Sequence, residues 1–498
     1  MSEESKSKSE ERPRAVGLLG GGVIGGGWAA RFVLNGVDVR LYDPAPGALD
    51  RVQQQLANAR RAFRQLTLVP LPPEGALTMS ESIADAVDGV EIVLESAPER
   101  LDLKQPLLAA ASQAAAPGVL ICSSTSGLRP SLLAAGVKHP ERLLVAHPFN
   151  PVYLLPLVEL CGSPSATPGA LKRAAEIFQS VGMHPLVMRK EVDGFIANRL
   201  QEAMWREALW LVHDDLATVD QVDDAIRYSF GLRRAVIGPY SLGGGGAGMR
   251  QNMEKWGPVQ LKQPWSRLTD VPELTEAFVN KLVEQSEVRA GNLPVPEFEQ
   301  KRDDCMVALL KGLRAQGYGA GETVARWEQE LRDRVPPLAN SSGPLRMPTL
   351  QMPSDWVDYN GHITENRYLQ LCGMATDNLL RHIGIDGEYR AKYGSYYTVE
   401  THISHLQELF AGDRVQVLTQ IVHADDKRLH LFHVLRREGD EKPAATGEQM
   451  LIHVNGSSGT SAPVHGNVRE RLLDLAGVHA KLPRPDRVGA SIGVRKGA

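Results

Sequence analysis

"AVGLLGGGVIGGGWAARFVLNGVDVRLYD", residues 15–43, decides the fold of the first part of the chain. An apolar run, a cluster of glycines, a stretch of helix formers and an alternating segment ending in an acid predict strand, tight turn, helix and strand. The glycines fit G-x-G-x-x-G at Gly20, Gly22 and Gly25, with Val23 and Ile24 inside the motif. Gly20 permits the turn, Gly22 lets backbone amides approach a pyrophosphate, Gly25 lets the helix pack on the strand, and the helix N-terminus favours negative charge. Asp43 ends the second strand at the distance of a ribose-reading acid and would repel a 2′-phosphate, which favours NAD over NADP. Glycine-rich turns also occur in ordinary loops, so FAD binding and plain packing glycines stay open on this stretch alone.

Further strand-like runs follow at VEIVLES, GVLICSS, RLLVAH and LLPLVEL, separated by helical stretches. This alternation predicts a doubly wound α/β sheet, in which ligands gather at the strand ends. Glu95, Glu99, Ser124, Ser126 and His147 all fall at or just beyond those ends. Any single serine there reads equally well as a turn residue. Glu159 poses a sharper question, because it sits inside LLPLVEL, where an unpaired carboxylate would cost several kcal/mol to bury. His147, before a Pro-Phe-Asn-Pro turn, is the nearest partner, and the pair would make a general base.

The chain of 498 residues is long enough for two to four domains. A net charge of -4 argues against a nucleic-acid or anionic-membrane partner. Cys122, Cys161, Cys305 and Cys372 lack CxxC spacing, so neither a disulfide framework nor a metal is expected. Residues 1–13 lack the apolar core of a signal peptide, no run reaches membrane-spanning length, and a cytoplasmic location is expected. Residues 480–498 carry Pro, Gly and Arg without periodicity and read as a flexible tail, as do residues 1–13.

From Val192 long helices dominate: Ile196, Leu200, Met204 and Leu211 recur at helical spacing, with Asn198 and Trp205 sharing another face. SLGGGGAGMRQNM within this region predicts a loop. Residues 333–345 have linker composition, and after them one helix precedes strands YYTVETHIS, DRVQVLTQIVH, KRLHLFHVLRRE and ATGEQMLIHVN, an α+β layout.

VGLLGGGVIGGGWA, the E-x-x-x-E of Glu95 and Glu99 followed by Lys104, SSTSGL, HPFNP with its glutamate, and DGFIANRL stand in the order seen in the 3-hydroxyacyl-CoA dehydrogenase family, which residues 14–330 resemble. The resemblance implies a Rossmann-type NAD-binding domain over 14–191 and an all-α, 6-phosphogluconate-dehydrogenase-like substrate and dimerisation domain over 192–332. It implies His147 as base and Glu159 as the acid that orients it. Ser126 and Asn198 match positions that bond the reacting oxygen, Asn150 matches the asparagine of the turn, and Glu99 and Lys104 match cofactor-side contacts.

DWVDYNGHITENRYL (355–369) and LFAGDRVQV (409–417) resemble hot-dog-fold thioesterases of the 4-hydroxybenzoyl-CoA type, which implies a hot-dog domain over 346–479. By that match Asp358 is the catalytic carboxylate, as nucleophile or as base for water, while Asn360 and His362 shape the site. Thr364 and Glu365 stand where relatives often carry two asparagines.

The joining of these domains, with GAGMRQNM, PWSRLTDVPELT and EQSEVRAG, resembles the carnitine dehydrogenases fused to betainyl-CoA thioesterases. That resemblance implies oxidation of L-carnitine to 3-dehydrocarnitine and hydrolysis of betainyl-CoA to glycine betaine and CoA, in a homodimer. A quaternary ammonium is best held by aromatic faces, for which Phe149 and Trp205 are candidates, and Arg199 for the carboxylate. A 3-hydroxyacyl-CoA dehydrogenase with an acyl-CoA thioesterase, and a non-catalytic NAD-binding structural protein, are the alternatives.

Overall fold

The computed structural model describes residues 12–238, 270–290, 294–334 and 342–491. The chain divides into two compact units, Met1–Asp333 and Arg334–Ala498. GAGMRQNM lies outside the described residues, as does most of the segment around PWSRLT.

Among the described residues of the first unit is an eight-stranded sheet. Its strands are β1 (Ala15–Leu19), β2 (Asp38–Tyr42), β3 (Leu77–Met79), β4 (Ile92–Glu95), β5 (Leu120–Ser123), β6 (Leu143–Pro148), β7 (Leu157–Gly162) and β8 (His184–Val187), in the order β3-β2-β1-β4-β5-β6-β7-β8. β1, β4, β5 and β6 are buried along their whole length, as strands of a sheet covered on both faces must be, which explains their unbroken apolar runs. Pairing is parallel except between β6 and β7, which run antiparallel with His147 directly opposite Glu159.

Helix α1 (Val23–Val33) follows the glycine turn and α2 (Ala48–Leu66) packs beside it, burying Val52, Leu56, Ala59, Phe63 and Leu66 on one face. Gly25 is required there: a Cβ would lie 2.0 Å from the Gly20 carbonyl oxygen. Helix α3 (Ala197–His213) opens the helical region, followed by α4 (Val219–Arg227), α5 (Phe230–Arg234) and α6 (Glu276–Ala290). Two more, α7 (Val295–Gln316) and α8 (Ala320–Arg334), return to the Rossmann core, where Val307, Leu310, Val324, Trp327 and Leu331 join the same apolar cluster as Phe32, Leu56 and Phe63. The last hairpin of this helical stretch buries its apolar stripe against α1 and α2.

In the second unit, strands β9 (Leu345–Arg346), β10 (Leu350–Gln351), β11 (Ser395–His405), β12 (Arg414–Ala424), β13 (Arg428–Arg437) and β14 (Ala445–Val454) form an antiparallel sheet in the order β10-β12-β13-β14-β11, with β9 beside β12. Helix α9 (Glu365–His382) packs on it through Leu371, Cys372, Ala375 and Leu379, so near that a Cβ on Gly447 would lie 2.4 Å from the Cys372 Sγ. Helix-on-antiparallel-sheet is the hot-dog arrangement expected from the motifs. Within residues 480–491, the Pro483 carbonyl accepts from Gln420 Nε2 and the Gly489 amide donates to Glu448, so this stretch bonds to the sheet.

Between α9 and the sheet lies a buried polar knot: His433 meets Thr419 at Nδ1 (2.9 Å) and both Thr376 and Gln449 at Nε2 (3.2 and 3.1 Å). Burial pushes the His433 imidazole down to about 4, against the opposing pull of the Gln449 hydrogen bond. The unfolded chain takes up a proton near pH 6.5 that the folded site refuses until about 4. The contribution of this group to the stability of the unit is therefore full above pH 6.5 and lost as pH falls toward 4, about 3 kcal/mol in all. Calorimetry of the full chain between pH 7 and pH 4 should show the transition of the second unit falling, with a shallower fall in His433→Gln; equal slopes would discard the assignment.

Candidate active sites

The glycine turn shapes the first unit's crevice. Gly20 holds φ at +105°, and its amide donates to the Tyr42 carbonyl at 2.9 Å, tying β1 to the end of β2. Gly22 caps α1 without a side chain, and nothing stands within 4 Å of where its Cβ would be, so the helix N-terminus faces open space. Val23 is exposed and Ile24 half-buried at this edge. Asp43 accepts from the Gly21 amide at 2.7 Å and from the Ala45 amide at 2.8 Å, which fixes the acid beside the turn. An open glycine cradle, an uncapped helix end and a fixed carboxylate fit a dinucleotide.

Deeper in, Lys104 is buried and bonds the buried Glu95 carboxylate at 2.8 Å and the Ala97 carbonyl at 3.0 Å, with Glu99 at 3.4 Å. Its ammonium is thus committed to protein groups behind the crevice wall. Glu99 reaches the SSTSGL loop, accepting from the Ser126 and Gly127 amides at 3.0 and 3.1 Å and from the Thr125 hydroxyl. Ser126 is exposed beside it, and its carbonyl accepts from Asn198 Nδ2 at 2.8 Å, which brings the two residues proposed for the reacting oxygen together.

His147 and Glu159 answer the question set by the greasy strand. The pair is buried, and the His147 Nδ1 lies 2.8 Å from Glu159 Oε2. Glu159 Oε1 accepts from the Ile196 and Ala197 amides, at 3.0 Å each, where α3 begins. Burial alone would raise this carboxyl, but the His147 hydrogen bond and the Ala197 and Ile196 amides outweigh it and hold it below the usual range. With Nδ1 held, Nε2 is the ring nitrogen left to meet a substrate. Phe149 lies against the imidazole at 4.6 Å between ring centroids. Asn150 is exposed on the turn just beyond. Trp205 stands exposed farther along α3, and among the described residues it makes no ring contact with the dyad.

One contributor escaped the sequence reading. Phe195 is fully buried, lies tilted against the His147 ring at 5.4 Å between centroids and adopts a left-handed backbone with φ +50°, directly after Gly194 at φ +72°. A bulky residue there costs of order 1–3 kcal/mol of strain. The tight turn it makes aims the next two amides at Glu159. The DGF triplet was the available signal, but left-handed geometry at a phenylalanine has no sequence signature.

In the second unit, Asp358 sits half-buried in the D-Y-N-G-H turn before α9. Its Oδ1 accepts from the Asn360 amide at 2.8 Å and the His362 amide at 3.4 Å, while its own amide donates to the His362 carbonyl at 2.8 Å. His362 packs edge-on against Phe410 at 5.1 Å, which joins the two motifs that carried the thioesterase resemblance. Thr364, the N-cap of α9, does not cap with its hydroxyl, which donates to Asn366 Oδ1 instead. No group of three or more His, Cys, Asp or Glu side chains able to hold a metal occurs among the described residues.

Residues 15–192 match the 3-hydroxyacyl-CoA dehydrogenase NAD binding domain, residues 194–281 the C-terminal domain of the same family, and residues 352–472 the thioesterase-like superfamily. Over 488 residues the chain is 45% identical to an L-carnitine dehydrogenase/betainyl-CoA thioesterase of Rhizobium meliloti (strain 1021), covering 96% of this chain and 98% of that one. The chain is also similar to an L-carnitine dehydrogenase of Pseudomonas aeruginosa, 50% identical over 304 residues, 60% of this chain and 94% of that one. Among solved structures, an NAD+-dependent 5-formyl-3-hydroxy-2-methylpyridine 4-carboxylic acid 5-dehydrogenase shares the fold, with a TM-score of 0.51, 24% identity and coverage of 61% of this chain and 99% of that one.

If Glu159 steadies the imidazolium, Glu159→Gln should lower kcat for alcohol oxidation by about 100-fold with little change in KM for NAD. Steady-state kinetics of the purified variant checks this, and a loss below about threefold would take Glu159 out of the reaction.

Proposed function

We infer, from the premise that the chain belongs to the family of fused L-carnitine dehydrogenase/betainyl-CoA thioesterases, that it oxidises L-carnitine to 3-dehydrocarnitine in its first unit and hydrolyses betainyl-CoA in its second. The observation that carries the first half is the buried His147–Glu159 pair, 2.8 Å apart, at the strand ends of an NAD-binding sheet. NAD, when bound at the glycine turn, supplies the acceptor for the hydride. His147 Nε2 takes the hydroxyl proton as the hydride leaves, and the Glu159 carboxylate stabilises the imidazolium that results. Ser126 and Asn198 orient the oxygen that loses its proton. Lys104 supports Glu99 and the loop around Ser126 from behind.

The trimethylammonium head cannot donate a hydrogen bond, so an aromatic face has to hold it. Phe149, against the imidazole, is the favoured candidate, whereas Trp205 needs a substrate that reaches along α3. Arg199, exposed in the first turn of the same helix, is the candidate for the carboxylate.

In the second unit Asp358 attacks the thioester carbon or draws a proton from water, held in place by the Asn360 and His362 amides. The first amides of α9, uncapped by Thr364, favour the developing oxyanion. The two units would share the same cationic head group, on either side of a step that another enzyme supplies. A cytoplasmic homodimer completes the reading; Ile196 just before α3 and Leu200 and Met204 along it stand exposed, a face suited to a second copy, and no helix among the described residues is long and apolar enough to cross a membrane.

L-Carnitine should reduce NAD with a kcat/KM well above that of 3-hydroxybutyryl-CoA in the same assay; preference for the CoA ester would replace this reading with that of a 3-hydroxyacyl-CoA dehydrogenase. His147→Ala should abolish that activity and spare hydrolysis of betainyl-CoA, and Asp358→Ala should do the converse. Loss of both activities in either folded variant would contradict two separate sites.

A further inference from the structure

We propose that Asp303, on α7, is a positioning residue for the dehydrogenase, setting the placement of His147 through Tyr153. This rests on the dehydrogenase reading of the first unit. The turn that leaves His147 for β7 carries Val152 and Tyr153, both buried, and each is gripped from a different helix. From α1, Arg31 donates through Nε (3.3 Å) and Nη2 (3.0 Å) to the Val152 carbonyl. The helix and turn are in close contact there, since a Cβ on Gly27 would lie 2.8 Å from the Val152 Cβ. The helix whose N-terminus faces the cofactor crevice is thereby fixed to the turn that carries the base.

From the other side, the Tyr153 hydroxyl donates to Asp303 Oδ2 at 2.7 Å, and both residues are 1% exposed. Arg302 holds the second carboxylate oxygen, with Nη2 2.9 Å from Oδ1. A second strand of the same connection comes from α8: Trp327 Nε1 donates to Asn35 Oδ1 at 2.8 Å, and Asn35 Nδ2 donates to the Arg31 carbonyl at 2.8 Å. The α7–α8 hairpin thus reaches the catalytic turn by two routes, directly through Asp303 and indirectly through Asn35 and Arg31.

A hairpin that served only to cover apolar surface would have no use for a buried carboxylate, whose desolvation costs several kcal/mol. A directional hydrogen bond instead selects one placement of the turn among many of similar packing energy. Placement matters, because a shift of about 1 Å at a reacting group costs about 100-fold in rate.

The test uses full-length Asp303→Leu, Tyr153→Phe and the double variant. Each single variant should lose about 10-fold or more in kcat with KM for NAD within about twofold. The double variant should be no slower than the slower single, because either change removes the same bond. Betainyl-CoA hydrolysis is the internal control and should not move. The nitrogen-15 resonances of the His147 ring provide a readout independent of turnover: they report its bond to Glu159 and should shift in Tyr153→Phe. Unchanged resonances, or singles with wild-type kcat and a lowered melting temperature, would reduce Asp303 to a purely structural role. A wild-type chain that oxidises no 3-hydroxy substrate would overturn the dehydrogenase reading, while the resonances would still decide whether Asp303 positions the ring.

Discussion

A carboxylate cut off from water constrains the first unit more than any other single group. Glu159 is stable as an anion only where donors converge, and they come from separate parts of the chain: His147 on β6, and the amides of Ile196 and Ala197 where α3 begins. Its strand must run antiparallel to β6 in the register that sets the two side chains opposite each other. A slip of one residue would turn the acid to the other face and leave it unpaired, at a cost of several kcal/mol. The same requirement explains why the chain accepts strain at Phe195. The left-handed pair Gly194 and Phe195 brings the start of the helix onto the carboxylate, and the Phe195 ring then closes over the imidazole. Catalytic geometry and fold stability rest on one set of contacts.

The second unit meets its chemistry differently. Asp358 lies in an exposed-sided turn, so its carboxylate needs only two backbone amides and keeps solvent access. Rigidity comes from beneath, where His433, Thr376, Thr419 and Gln449 bond one another between α9 and the sheet. These groups make no sense as stabilising burial, since apolar side chains of the same volume would cost less to desolvate. They do fix how α9 lies on the sheet, and therefore where its N-terminus and the Asp358 turn stand.

What could be read from the sequence follows the same division. The parallel core was legible because strands buried on both faces must be apolar throughout, and the His147–Glu159 pair was legible because an acid in such a strand demands a partner. β3 and β8 were missed: Leu77–Met79 has three residues, too few for a period, and His184–Val187 is a half-exposed edge carrying a proline. The α7–α8 hairpin was legible as helix, but its destination was not, because an apolar stripe says that a face is buried and not against what. The tail beyond α9's domain was read as loose from its Pro, Gly and Arg content, yet Pro483 and Gly489 are held through backbone groups, which composition does not report. Phe149 was found because it neighbours the base in sequence; Phe195 was not, since its neighbourhood is created only by folding.

The common thread is that this chain spends buried polar groups where two elements must meet in one relative position. Val152, Tyr153 and Trp327 belong to one continuous apolar cluster, and Arg31, Asp303 and Asn35 are the buried polar groups bonded to them. Apolar packing alone tolerates small sliding, because its energy changes little while total volume is preserved. Hydride transfer tolerates much less, because donor carbon, acceptor and base must align together. A dehydrogenase that takes the cofactor on one helix and the base on a distant turn therefore needs directional contacts between them, and the buried bonds around Val152 and Tyr153 supply that direction.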